Sequence, residues 1–61
     1  MTPKDRQALI DTPVTLDGKR AAIKGRLNDV ATVATLPTGP SYEWSWAAAA
    51  RIVAAGGRFR S

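Results

Sequence analysis

The chain has 61 residues, with nine Lys and Arg against five Asp and Glu for a net charge of +4. It can form one domain at most, only marginally stable unless copies associate. With no Cys and no His, disulfides, Cys- or His-ligated zinc, Cys or His nucleophiles and the usual neutral-pH general base are excluded. The start of the chain is polar and lacks the apolar stretch of a signal peptide. The longest apolar run, Trp46–Ala50, is far too short to span a bilayer. A soluble, cytoplasmic protein with no membrane partner is expected.

Thr2-Pro3-Lys4-Asp5 reads as a helix start. Thr2 caps, Pro3 suits the first helical position, and Asp5 faces the positive end of the dipole. This helix runs through Ile10 and is ended by Thr12-Pro13; two turns alone are marginal in water, so it either packs by Leu9 and Ile10 or frays. Next comes a hairpin, Val14–Leu16 and Lys19 onward, around Asp17-Gly18. Asp-Gly supplies the positive φ angles of a type I′ turn and pairs Leu16 with Lys19 and Val14 with Ala21. The second strand continues to Leu27, with Ala21, Ile23, Gly25 and Leu27 inward and Arg20, Ala22, Lys24 and Arg26 outward. Gly25 marks a bulge or sharp bend.

Asn28-Asp29 forms a second two-residue turn, so Leu27 faces Val30. Thr32, Ala34 and Leu36 then join the core, and Ala31, Val33 and Thr35 face outward. Pro37–Ser41 is a loop that sets Leu36 opposite Tyr42, Trp44 opposite Ala34 and Trp46 opposite Thr32. Large residues against small ones fill a core efficiently. Ser45 caps a helix over 46–55, stopped by Gly56-Gly57. Arg58-Phe59-Arg60 resumes extended alternation with Phe59 inward.

The fold class is mainly β with short helices (α+β). A small antiparallel meander that closes into a barrel forms a single domain over residues 13–61, preceded by an N-terminal helical segment, residues 1–12. A bent four- or five-stranded meander with a helical turn before its last strand resembles an SH3-like small barrel. This likeness is architectural and implies no function.

No pair of carboxylates is placed for acid–base work, and no Gly-rich loop precedes a helix to cradle phosphate. Catalysis, metal binding and a cofactor are not expected. The outward row Arg20, Lys24 and Arg26, joined by Arg58 and Arg60 if the last strand pairs with the first, suits a phosphate backbone. Thr15 and Thr35 add hydroxyls. A basic module that contacts DNA or RNA is the expected function. The alternative is a protein-interaction module or small regulator docking an acidic partner surface. Tyr42 is a candidate for base stacking, while Trp44 and Trp46 serve the core. The far side of the second helix, Ala47, Ala48, Arg51, Ala54 and Ala55, is nearly uncharged and offers a homodimer contact.

Overall fold

The hairpin forms where Asp-Gly places it. In the computed structural model, which describes residues 1–61, Asp17 (φ 52°) and Gly18 (φ 83°) both adopt the left-handed conformation that a type I′ turn needs. Strand β1 (Val14–Leu16) and strand β2 (Lys19–Lys24) pair antiparallel, Leu16 with Lys19 and Val14 with Ala21. Helix α1 (Pro3–Ile10) precedes them and starts with a reciprocal cap. The Thr2 hydroxyl accepts from the Asp5 amide, and the Asp5 carboxylate accepts from the Thr2 amide.

Strand β3 (Val30–Thr35) and strand β4 (Ser41–Ser45) continue the meander. Helix α2 (Trp46–Ala54) then leads to strand β5 (Arg58–Phe59). The result is α+β, a curled five-stranded half-barrel in the order β4-β3-β2-β1-β5 with two helices.

Several details depart from the sequence expectations. Strand β2 stops at Lys24, because Gly25 turns to φ 91° and its carbonyl accepts the Asn28 amide at 2.8 Å. The connection is therefore Gly25–Asp29, and Leu27 is 78% exposed instead of inside. The longer connection shifts β3 by one residue: Ile23 faces Val33, and Ala31, Val33 and Thr35 are buried in place of Thr32, Ala34 and Leu36. A one-residue slip exchanges the two faces of a strand. Here it buries Val33 where Ala34 was expected.

Strand β4 shifts in the same direction. Trp44 lies opposite Ala31 and Tyr42 opposite Val33, with Leu36–Pro40 as the loop. Large against small is kept, with different partners. Trp46 does not pair with Thr32, which faces Glu43; it is the first residue of α2, as the Ser45 cap predicts, the Ser45 hydroxyl accepting the Ala48 amide at 3.1 Å.

Strand β5 pairs with β1 in parallel, not antiparallel, Thr15 with Arg58 and Leu16 with Phe59. Gly57 (φ 73°) makes this approach feasible, since a Cβ there would lie 3.2 Å from Val14 Cγ1. No ladder joins β4 to β5, so the barrel stays open. Side chains close it instead: Trp44 of β4 and Phe59 of β5 meet edge to face, centroids 4.9 Å apart. Phe59, Leu16, Ile23 and Val33 are fully buried, with Val14, Ala21, Ala31, Trp46 and Ala49 completing the apolar core. Leu9 and Ile10 of α1 pack against it with Ile52 and Val53 of α2.

Candidate functional site

The convex face of the sheet carries the residues of opposite parity to the core. Where β5, β1 and β2 run side by side, Arg58, Thr15 and Arg20 stand abreast as paired positions. Adjacent strands lie about 4.8 Å apart, which puts the two arginine backbones about 10 Å apart with Thr15 between them. Both arginines are exposed and Thr15 is half-buried. Together with Pro13 and Gly56 they border a shallow depression of about 340 Å³. Two long cationic arms over a central hydroxyl suit a tetrahedral oxyanion, because guanidinium binds such groups through charge-assisted, often paired hydrogen bonds.

Acids stand at the margins of this row. Asp11 borders a neighbouring depression on the far side of Arg20. Asp17 shares another, of about 440 Å³, with Thr15, Arg58 and Arg60. The Asp17 carboxylate accepts the Ser61 amide at 3.0 Å. That backbone bond, a side-chain hydrogen bond from Ser61 and the nearby Arg60 charge hold it below the ordinary carboxylate value, against a weaker opposing effect of desolvation. Asp17 thus offsets part of the Arg60 field. The Arg58–Thr15–Arg20 depression itself is bordered by no acid.

The five basic residues do not form one line. Arg60 lies beside Arg58 in the depression that Asp17 borders. Lys24 is exposed at the far end of β2, four residues or about 13 Å beyond Arg20. It sits in a row with Thr32 and then Glu43 of β4, so an acid shares its side of the sheet. Arg26 leaves the strand altogether and is exposed in the Gly25–Asp29 connection.

Thr35 offers no hydroxyl to a ligand. It is 7% exposed and donates to the Pro40 carbonyl at 2.7 Å, as the shifted register of β3 requires. Tyr42 is 42% exposed but opposite Val33, on the concave side and away from the arginines. On α2 and its C-cap Ala55, the residues Ala47, Arg51, Ala54 and Ala55 are exposed, while Ala48 is half-buried.

One residue of the arrangement escaped the sequence reading. Arg6 of α1 donates from Nη1 to the main-chain carbonyls of Arg26 (3.0 Å) and Asn28 (2.9 Å). Its guanidinium lies 4.9 Å from the Trp46 ring centroid. No local pattern marks such a contact, since it joins positions 20 and 22 residues apart. Compared with protein-family models, curated proteins and solved structures, the chain matches none.

Proposed function

We propose that the chain is a small, non-catalytic, basic binding module that contacts DNA or RNA through phosphate-directed arginine and lysine side chains. The observation that supports this best is the Arg58–Thr15–Arg20 row on the convex sheet face. Arg60, Lys24 and Arg26 extend the positive field around it. Contacts of this kind fix position on the backbone and carry little sequence information.

The test is affinity for a mixed-sequence oligonucleotide as a function of salt, for the wild type and for Arg20→Gln/Arg58→Gln. Removing two phosphate contacts should weaken binding and flatten the slope of log affinity on log salt by about 1.8 for a duplex. A double variant with wild-type affinity and slope would remove the proposal's main support.

A second reading has its own observation: the exposed side of α2 is small and nearly uncharged, with Ala47, Ala54 and Ala55 around Arg51. In this reading the chain docks an acidic protein surface or pairs with a second copy through α2. Displacement of the oligonucleotide by polyglutamate of equal charge would favour an acidic protein partner, and a doubled mass in solution would favour pairing.

A further inference from the structure

The Gly25–Asp29 connection is held more firmly than a link between two strands requires. Asn28 donates its amide to the Gly25 carbonyl at 2.8 Å. Trp46, only 4% exposed, donates Nε1 to the Asn28 carbonyl at 2.9 Å. Arg6 grips the same carbonyl and that of Arg26 while it lies over the Trp46 ring. Gly25 fits tightly as well: a Cβ there would meet the Asn28 side chain at 3.0 Å and the Val30 carbonyl at 3.4 Å.

These long-range contacts all hold main-chain atoms, so the Arg26 and Leu27 side chains stay free. Arg26 is exposed, and Leu27 is 78% exposed, the most of any large hydrophobic residue. Leu27 borders none of the surface depressions; it projects. Lys24 and Arg26 precede it, and Asp29 follows. An apolar tip on a fixed backbone, with exposed Arg26 next to it in the chain and exposed Lys24 three residues before it, suits entry into something polyanionic.

We infer that this connection is a wedge for duplex nucleic acid. Leu27 enters the minor groove and partly unstacks one base step, while Arg26 and Lys24 hold flanking phosphates. Single aliphatic side chains act this way in proteins that kink DNA from the minor groove. A protein partner fits less well, because an isolated Leu is a poor anchor at protein interfaces. The inference rests on the nucleic-acid reading above and adds a duplex, a groove and a role for Leu27.

The test uses the full chain and a short duplex with 2-aminopurine at a central A·T step. Its fluorescence should rise on binding as the base unstacks. Leu27→Ala should abolish the rise and weaken affinity about ten-fold. The salt slope should be unchanged, since no charge is altered. An unchanged melting temperature would show that the exposed substitution leaves the fold intact. Duplex binding without a fluorescence rise, or with equal affinity for both proteins, would overturn the wedge and leave the nucleic-acid reading standing. No binding to duplex or single strand would remove both. A change in solution mass caused by Leu27→Ala, with duplex affinity unaffected, would reassign Leu27 to self-association and overturn the wedge.

Discussion

Arg6 shows how one side chain can set the position of a distant loop. It makes two charge-assisted hydrogen bonds to carbonyls and a stacking contact with Trp46. Replacing it with Ala removes both kinds of contact and should destabilise the fold by about 1–3 kcal/mol, measured by urea unfolding. Asp17 permits a prediction of sign. Its folded pKa lies below the ordinary 3.8, so its hydrogen bond from Ser61 contributes stability above that value and loses it as pH falls through the depressed one. The difference in urea midpoint between wild type and Asp17→Asn should be constant above about pH 5 and shrink in more acidic solution. Asp17 was legible as a turn residue because Asp-Gly is a local signal. Its bond to Ser61 spans 44 positions and has none.

At the level of elements, the open barrel depends on the aromatic pair that spans it. Trp44 and Phe59 come from strands with no ladder between them. A double-mutant cycle with Trp44→Leu and Phe59→Leu, followed by thermal or urea unfolding, should give a coupling of about 0.5–1.5 kcal/mol. Truncation of buried Phe59 to Ala should cost about 3–5 kcal/mol, much of the total stability expected at this length. The β1–β2 hairpin was readable because a two-residue turn fixes register. Strand β3 was not, because its alternating residues, Val-Ala-Thr-Val-Ala-Thr, differ little in hydrophobicity between faces. The connection before it then decided the outcome, through the positive φ of Gly25. The Ser45 cap and the helix from Trp46 were legible as a local signal and form as expected; what fails is the pairing of Trp46 with Thr32, because Glu43 takes that position.

For the whole molecule, the outward placement of Arg20 and Lys24 on β2 followed from the hairpin register and survives in the structure. Their relation to Arg58 depended on where β5 attaches, which no periodicity within two residues can reveal. That attachment is slender. It consists of a two-residue parallel ladder, with the Thr15 amide donating to the Gly57 carbonyl and the Asp17 amide to the Phe59 carbonyl, of the Ser61 amide's bond to the Asp17 carboxylate, and of the seating of Phe59 in the core. With so short a ladder, the buried Phe59 ring carries most of the attachment. If β5 lifts away, Arg58 leaves the row while Arg20 and Thr15 stay. Phe59 therefore acts as a latch: the same ring that shuts the half-barrel also keeps two arginines at a fixed separation, and the row lasts only while the latch is closed.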